Sequence, residues 1–349
     1  MKAARLHAYQ QPPRIDDVPE PEITGPFDIV VRVAGAGVCR TDLHIIEGMM
    51  QADLGHPALP YTIGHENAGW VERIGPAVRS VAPGDAVVLH PLATCGECTA
   101  CRAGNDSHCS NRSFPGLDGS DGGYAELLKT TARAAVKLAP RTDPALLAPF
   151  ADAGLTAYHA IKKIAPLAHA GTTVVAIGVG GLGHFGVQLL KVLTPARIVA
   201  VDNQPERLDF ARSLGADLSI AAGDDGGVRS VLELTDGRGA DIVIDFVGEH
   251  GTPESAIRML RDAGTYSVVG YGGALSTTTL EMINRDLHIL GNKVGTYNEL
   301  VELMELARQG KVRIEARRYP LGEVADVLRE FETGRIMGRA VLIPDGARP

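Results

Sequence analysis

One stretch of this chain constrains its fold more than any other: a β-prone run, a glycine-rich turn and a helical pattern follow one another without a break. The run is Thr173–Ile177, and the turn after it has the spacing G-x-G-x-x-G. A second β-prone run, 196–201, ends in Asp202, 19 residues after the last glycine of the turn. Such glycines permit a tight turn and close approach of the backbone to a pyrophosphate, and such an acid accepts hydrogen bonds from a ribose. The order predicts a dinucleotide-binding βαβ unit, with the turn contacts made by Gly178, Gly180, Gly181, Leu182 and Gly183.

Asp202 also indicates which dinucleotide is bound. A carboxylate at this position repels a 2′-phosphate, and Asn203-Gln204-Pro205 provide no arginine to compensate. NAD is therefore favoured over NADP. The alternative interpretation of Asp202 is a solvated acid at the end of a strand.

Strands and helices continue to alternate after this unit. Strands are predicted at 241–245, 265–269 and 288–291, with helical patterns at 228–235 and 253–260. This alternation is typical of a doubly wound parallel sheet. We expect the loops after the three strands to line the nicotinamide side of the crevice, through Val247, Val269 and Asn292.

Four of the five cysteines lie close together in the order C-x2-C-x2-C-x7-C. Four thiolates at this spacing suit a tetrahedral zinc with no open position, which is a structural site. An iron–sulfur cluster, a pair of disulfides, or four unrelated buried cysteines are the alternatives. The residues are Cys95, Cys98, Cys101 and Cys109.

A second group of metal-binding residue types occurs earlier, in a region that the many prolines and short β-prone runs indicate to be an irregular β domain. Cys39–His44 follows an apolar run that we expect to stop at glycines, which would present these side chains at the mouth of a cleft. At Gly64-His65-Glu66, His65 is either a surface histidine in a turn or a second ligand to a metal shared with Cys39. In the latter case Glu66 would lie behind the metal.

Composition excludes several classes of function. A formal net charge of −8 argues against a nucleic-acid or anionic-membrane surface. The N-terminal residues 1–7 lack the apolar core of a signal peptide, and an odd number of mostly clustered cysteines suits a reducing cytoplasm. The 349 residues are long for a single core, so two domains are expected.

Taken together, these motifs closely resemble the zinc-dependent medium-chain alcohol dehydrogenases, particularly bacterial and archaeal NAD-dependent members of the secondary-alcohol type. The resemblance runs from the first strand to about Pro344. It implies an α/β protein in which a Rossmann doubly wound parallel sheet is inserted in a GroES-like β-rich catalytic domain. Residues 1–154 and about 295–349 would form the catalytic domain, and 155–294 would bind NAD.

The resemblance also implies a catalytic zinc held by Cys39 and His65. The third ligand in this family is usually a cysteine just before the cofactor domain, but this chain has Asp152 there. Oxygen is an acceptable zinc ligand, and an aspartate keeps the formal charge of the ligand set. We therefore predict Asp152 as the third ligand. The alternatives are a site without its metal, or a solvated loop acid with Glu66 as the substitute ligand.

Further roles rest on the resemblance alone. Thr41 matches the residue that hydrogen-bonds the substrate oxygen, and His44 matches the outer end of a proton relay toward solvent. Arg40 and Arg339 match arginines that bind the pyrophosphate, and Arg207 a basic residue near the adenosine ribose. Without the resemblance, His44 and the arginines would be interpreted as surface residues.

The predicted function is the reversible oxidation of a secondary or primary alcohol to a ketone or aldehyde with NAD, in an enzyme with two zinc ions per chain. A polyol or formaldehyde-type dehydrogenase is the alternative within the family. A non-catalytic NAD-binding protein with only the structural zinc is the alternative outside enzymes. We expect a small-molecule alcohol or carbonyl substrate, no nucleic-acid or membrane partner, and a cytoplasmic homo-oligomer, either a tetramer or a dimer.

Overall fold

Strands and helices follow the predicted alternation in a computed structural model of the chain, which describes residues 1–52 and 55–347. The elements of the first part are, in chain order, β1 (Lys2–Leu6), β2 (Arg14–Asp17), β3 (Asp28–Gly37), α1 (Arg40–Glu47), β4 (Tyr61–Thr62), β5 (Glu66–Ile74), β6 (Ala86–Leu89), α2 (Thr99–Arg102), β7 (Leu127–Thr131), β8 (Ala135–Lys137) and α3 (Ala153–Ile164). Those of the second part are β9 (Thr173–Ile177), α4 (Gly183–Leu193), β10 (Arg197–Asp202), α5 (Pro205–Leu214), β11 (Leu218–Ala221), α6 (Val228–Leu234), β12 (Ala240–Asp245), α7 (Thr252–Met259), β13 (Leu260–Val268), α8 (Thr279–Asn284), β14 (His288–Gly291), α9 (Tyr297–Arg308), β15 (Ala316–Pro320), α10 (Val324–Glu332) and β16 (Arg339–Ile343).

The chain divides into two units by the proximity of its Cα atoms. Unit 1 consists of Met1–Leu155, Thr296–Met304 and Ile314–Pro349, and unit 2 of Thr156–Gly295 and Glu305–Arg313. Unit 2 thus includes Glu305–Arg313, which were predicted to belong to the returning C-terminal segment of the catalytic domain. Gln188 provides a physical reason, because its side chain donates to the carbonyl of Arg313 and accepts from its N–H, each at 2.9 Å.

Unit 1 is built around β3, whose residues are nearly all buried. Among the described residues, β3 lies in a sheet of order β15-β16-β3-β5-β6-β8, with β7 also pairing with β3. Because β3 is antiparallel to both β5 and β16, its last residue, Gly37, pairs with Glu66 on one side and Val341 on the other. The end of one strand and the beginnings of two others therefore meet at one place.

Unit 2 contains a parallel sheet of order β11-β10-β9-β12-β13-β14 in the described part of the chain. The first strand, β9, lies in the middle and is buried along its whole length. The chain builds outward on one side of β9 and then returns to build the other side, which confirms the predicted doubly wound sheet. Ligands bind such sheets at the carboxyl ends of the central strands, where the strand order reverses.

The strands predicted at 241–245 and 288–291 are confirmed, as is a helix near 298–309. Strand β13 begins five residues earlier than predicted, at Leu260. The reason is an irregular start, since its pairing with β12 shifts register between Ala240 and Ile242. Among the described residues, no helix combines the length and apolar character that a bilayer span requires.

The prediction that the first metal-binding stretch follows a strand that stops at glycines is confirmed, because β3 ends at Gly37. The strand passes through Gly35 before it ends, and Cys39 precedes a helix, α1. The glycines serve close packing: a Cβ on Gly35 would lie 2.5 Å from the carbonyl oxygen of Ala145, and one on Gly37 would collide with the carboxylate of Glu66. Glycine is therefore required at both positions for space, and at Gly35 it does not end the strand.

Candidate functional site

The predicted ligands of a catalytic metal come together in unit 1. One ligand atom from each of Cys39, His65, Glu66 and Asp152 lies within 4.8 Å of the others. Sγ of Cys39 is 3.8 Å from Oδ2 of Asp152, although the two residues are 113 positions apart. Nε2 of His65 is 3.5 Å from the same oxygen. The meeting of β3, β5 and the segment before α3 produces this cluster.

Burial contradicts the surface alternatives for two of these residues. His65 is 2% exposed, so it is not a surface histidine, and the side chain of Asp152 is only 13% exposed. Cys39 and Glu66 are also buried.

Asp42, which was not predicted as a site residue, supports two of the ligands. Its Oδ2 accepts the backbone N–H of Cys39 at 2.8 Å, and its Oδ1 lies 3.3 Å from Nδ1 of His65. The imidazole therefore has its other nitrogen, Nε2, on the side of Asp152. Burial lowers the pKa of His65, but the carboxylates of Asp42 and Asp152 raise it more, so the pKa is well above its usual value. A signal was available: an acid three residues into a helix is a common partner of the N-cap backbone.

Glu66 is held behind the cluster by an ion pair with Arg339, in which Nη2 contacts Oε1. The same oxygen accepts the N–H of Ala153 at 3.2 Å. Burial and the nearby carboxylate of Asp152 raise the pKa of Glu66 to about 7, against the opposing effect of Arg339. Arg339 is 1% exposed, so it is a buried charge and not a solvated one.

The donor set fits a zinc ion. A thiolate, an imidazole and carboxylates are the ligands that zinc prefers, and they converge here from buried positions. Oε2 of Glu66 is buried and has no hydrogen-bond partner in residues 1–52 and 55–347. A cation within this group would compensate buried acidic atoms that otherwise lack partners.

The four-cysteine loop forms a second group. The four Sγ atoms lie within 4.8 Å of one another, and the two nearest in the described contacts, those of Cys95 and Cys109, are 3.5 Å apart. That separation is far longer than a disulfide bond, and none of the five cysteines forms a disulfide, which contradicts the disulfide alternative. Backbone N–H groups of Cys101 and Ser110 lower the pKa of Cys98 to about 6, which favours its thiolate. Four convergent sulfurs fit a closed tetrahedral zinc site.

The glycine turn and Asp202 lie at the carboxyl ends of β9 and β10 in unit 2. Gly178 has a φ of +84°, and a Cβ on Gly183 would collide with the carbonyl oxygen of Gly178. Asp202 is 6% exposed, with Oδ2 accepting the N–H of Val179 at 2.8 Å and Oδ1 accepting that of Gln204 at 3.0 Å. The solvated alternative for Asp202 is therefore wrong. Nη1 of Arg207, the predicted basic residue, is 3.9 Å from Asp202 Oδ2.

The three predicted nicotinamide-side residues lie at the carboxyl ends of neighbouring parallel strands. Val247, Val269 and Asn292 each follow a strand, namely β12, β13 and β14. Asp245, at the end of β12, was not predicted as a site residue, but its hydrogen bonds hold part of this region in place. Its carboxylate accepts the N–H groups of Val247 and Gly248 at 2.9 Å, and the hydroxyl of Tyr266 at 3.0 Å.

The remaining predicted residues lie on α1. Arg40 and Thr41 are half-buried in its first turn, and His44 is 1% exposed in its last turn. The interpretation of His44 as an ordinary surface residue is therefore wrong. Its role in carrying a proton to solvent stays a prediction.

Comparison with known proteins agrees with this arrangement. Residues 25–140 match the family model described as alcohol dehydrogenase GroES-like domain, and residues 181–309 match that described as zinc-binding dehydrogenase. An NAD-dependent alcohol dehydrogenase of Sulfolobus acidocaldarius is 34% identical, over 98% of this chain and 99% of that protein. A D-arabinose 1-dehydrogenase (NADP(+)) of Saccharolobus solfataricus is 35% identical, over 98% of this chain and 97% of that protein.

A solved structure gives the same result. The alcohol dehydrogenase of the archaeon Aeropyrum pernix superposes with a TM-score of 0.96, at 49% identity, over 99% of this chain and 100% of that chain. This similarity covers nearly the full length of the chain, and the two family models match segments in unit 1 and unit 2. The chain therefore belongs to the zinc-type medium-chain alcohol dehydrogenases, NAD(H)-dependent oxidoreductases that interconvert alcohols with ketones or aldehydes.

Proposed function

We propose that Cys39, His65 and Asp152 hold a catalytic zinc in this enzyme, and that the four-cysteine loop holds a second, structural zinc. The observation that carries the proposal is the convergence of ligand atoms within 4.8 Å in each group. Asp42 behind His65 is the kind of outer partner that fixes the orientation of a metal-binding imidazole. The non-catalytic alternative, with only one zinc, is disfavoured because the catalytic group keeps all its predicted donors.

In the proposed mechanism, zinc supplies a Lewis acid that lowers the pKa of an alcohol hydroxyl, and NAD supplies the hydride acceptor. The side chains of this chain bind and orient the substrate and transfer its proton. Thr41 would hydrogen-bond the substrate oxygen and accept its proton while its own hydroxyl proton passes on by way of the ribose of a bound nicotinamide, and His44 would take up the proton at the outer end of this relay. Glu66, paired with Arg339, places a second carboxylate behind the ligands. Asp42, with Oδ1 3.3 Å from Nδ1 of His65, orients the imidazole so that Nε2 would be available for ligation.

Cofactor contacts are proposed for each part of the dinucleotide. In unit 2 the turn Gly178–Gly183 approaches the pyrophosphate, and Asp202 binds the adenosine ribose with Arg207 beside it. Val247, Val269 and Asn292, which follow the strands β12, β13 and β14, line the nicotinamide side. Arg40 and Arg339 bind the pyrophosphate; the five N–H donors of a guanidinium allow Arg339 to do so while it holds Glu66.

Metal analysis of wild-type and variant chains tests the zinc assignment. We expect two zinc ions per chain in the wild type. Cys39→Ser should remove one zinc and abolish NADH formation from alcohols, because a catalytic site needs its full set of ligands. Cys98→Ser is the matched control: it should remove the other zinc and lower the melting temperature. One zinc in the wild type, or full turnover by Cys39→Ser, would contradict the proposal.

The substrate class is proposed as secondary and primary alcohols. A polyol- or sugar-type activity is the second candidate, because a relative at 35% identity is named a D-arabinose 1-dehydrogenase that uses NADP(+). Values of kcat/KM for secondary alcohols, primary alcohols, polyols and aldoses, measured with NAD and with NADP, separate the two. Preference for an aldose or polyol would favour the second candidate.

We further propose a cytoplasmic homo-oligomer, a tetramer or a dimer. An odd number of cysteines, none of them in a disulfide, suits a reducing compartment. Strand β14 is at the edge of the described sheet of unit 2, and α8 before it exposes Leu280 by 67% and Ile283 by 76%. Edge strands beside exposed apolar side chains favour association. Light scattering after size exclusion should give a mass above one chain, and Ile283→Glu should reduce it; a monomeric wild type would contradict the proposal.

A further inference from the structure

Tyr124 lies in unit 1 between the two segments that carry Cys39 and His65, and the function proposed above gives it no role. It is 0% exposed. Its backbone N–H donates to the carbonyl of Ile63 at 3.0 Å, and its own carbonyl accepts from Ala4 at 2.7 Å. Its ring packs so closely on Gly64, the residue before His65, that a Cβ there would collide with the ring. Tyr124 is therefore fixed against the backbone that leads into His65.

The hydroxyl of Tyr124 reaches the other segment. It donates to Oδ2 of Asp42 at 2.6 Å, across 82 positions in the sequence, and lies 3.3 Å from the carbonyl oxygen of Gly37. Asp42 is 0% exposed, and its other described contacts are the backbone N–H of Cys39 and the imidazole of His65. A short hydrogen bond to a buried carboxylate is strong and directional. The hydroxyl therefore helps to determine how Asp42 is oriented between the two ligands.

We propose that Tyr124 is a positioning residue for the catalytic metal site: it fixes the carboxylate of Asp42, and through it the imidazole of His65 and the backbone of Cys39. Tyr124 contributes no ligand atom. Its effect passes through Asp42, so it belongs with the outer partners of metal ligands, whose removal typically lowers metal affinity by about 10- to 100-fold. The inference rests on the proposed zinc at Cys39, His65 and Asp152.

A purely structural role would have a different signature. If Tyr124 only filled the core, Tyr124→Phe would keep its ring and its packing on Gly64, and metal affinity would not change. If it acts through Asp42, the loss of the hydroxyl should weaken the metal, and the loss should depend on the carboxylate. Tyr61 offers a matched control, because it is also buried in this unit at 2% exposure and its hydroxyl donates to the carbonyl of Leu117.

The experiment measures zinc transfer from the purified holoenzyme to a chromogenic chelator. The wild type, Tyr124→Phe and Tyr61→Phe are compared, and the cysteine-loop zinc serves as an internal reference in each protein. We expect Tyr124→Phe to lower the affinity of the catalytic zinc by about 10- to 100-fold and to leave the other zinc unchanged. Tyr61→Phe should release both ions as the wild type does.

A double-mutant cycle shows whether the effect passes through Asp42. Asp42→Asn should weaken the same zinc, and adding Tyr124→Phe to it should have little further effect, because contacting residues in one network are not additive. Two zinc ions in the wild type with unchanged affinity in Tyr124→Phe, or full additivity in the double variant, would overturn this inference alone. A wild type with one zinc would overturn both this inference and the proposed metal centre.

Discussion

Asp202→Asn tests the proposed basis of cofactor choice with a single change of atom type. A carboxylate has about four lone-pair sites. Two are used within the protein, by the N–H groups of Val179 at 2.8 Å and Gln204 at 3.0 Å. Two sites are left, enough for the two hydroxyls of an adenosine ribose. An amide of the same shape replaces one acceptor oxygen by a donor, so it cannot satisfy both backbone groups and the ribose together.

The magnitude follows from these contacts. A hydrogen bond to a charged group contributes about 1.5–3 kcal/mol, so losing one should raise the Kd for NADH about 10- to 150-fold. A 2′-phosphate near Asp202 suffers like-charge repulsion, up to about 4 kcal/mol for unit charges 4 Å apart at an effective dielectric constant of about 20. Asp202→Asn removes that repulsion. The Kd for NADPH should therefore fall while that for NADH rises.

Titration of the nicotinamide fluorescence of NADH and NADPH gives both dissociation constants. Asp209→Asn is the matched control, because Asp209 lies on the following helix, α5, with its side chain 72% exposed. This control should leave both constants unchanged. An equal loss of affinity for NADH and NADPH in Asp202→Asn would refute the reasoning, since it would mean that Asp202 acts only by supporting the glycine turn. An unchanged preference would refute it as well.

Three further predictions concern metal binding and stability. Asp152→Ala should remove the catalytic zinc and alcohol oxidation, whereas Asp152→Cys should keep zinc in plasma-emission analysis, because a thiolate restores the charge and the donor. Cys109→Ser should lower the melting temperature, and chelation of the wild-type loop should do the same, because metal binding at a structural site contributes to folding. Burial raises the pKa of Asp241, but the N–H of Thr173 and the guanidinium groups of Arg261 and Arg238 lower it more, so its pKa in the folded chain is below the unfolded value. The stabilisation by ionised Asp241 is therefore present above about pH 4 and is lost as the pH falls through the pKa of Asp241 in the folded chain. In denaturant titrations, the free energy of unfolding of Asp241→Asn should fall less steeply in acid than that of the wild type.

The sequence was most informative where chemistry depends on residues close together in the chain. The glycine turn and the four-cysteine loop are local patterns, and the doubly wound sheet predicted from the turn and from the alternation of strands and helices is confirmed in unit 2. Cys39, His65 and Asp152 are far apart in the chain, so spacing alone could not group them. Resemblance to a family added Asp152 to Cys39 and His65, and the antiparallel pairing of β3 with β5 explains physically how those two meet.

Helix α1 could not be predicted from periodicity. Arg40–Glu47 is short, and isolated helices of this length are marginal in water. It forms because both of its ends are satisfied by the fold: Asp42 binds the N–H of Cys39, and Gly48 ends the helix with a φ of +84°. The packing role of the glycines in β3 could not be predicted for a related reason, since they make room for Ala145 and Glu66, which are distant in the sequence.

Buried polar networks were the hardest part of the site to predict, and they determine its geometry. Tyr124 has no motif of its own, and the capping position of Asp42 does not reveal its contact with His65, because both roles come from contacts with residues that the sequence places far away. In a low-dielectric interior, each such group must have its partners or destabilise the fold. The same requirement links Glu66 to Arg339 and Asp245 to Tyr266. A motif search therefore finds the atoms that would touch zinc or NAD, whereas the side chains that hold those atoms in place emerge only when the buried hydrogen bonds are followed from one residue to the next.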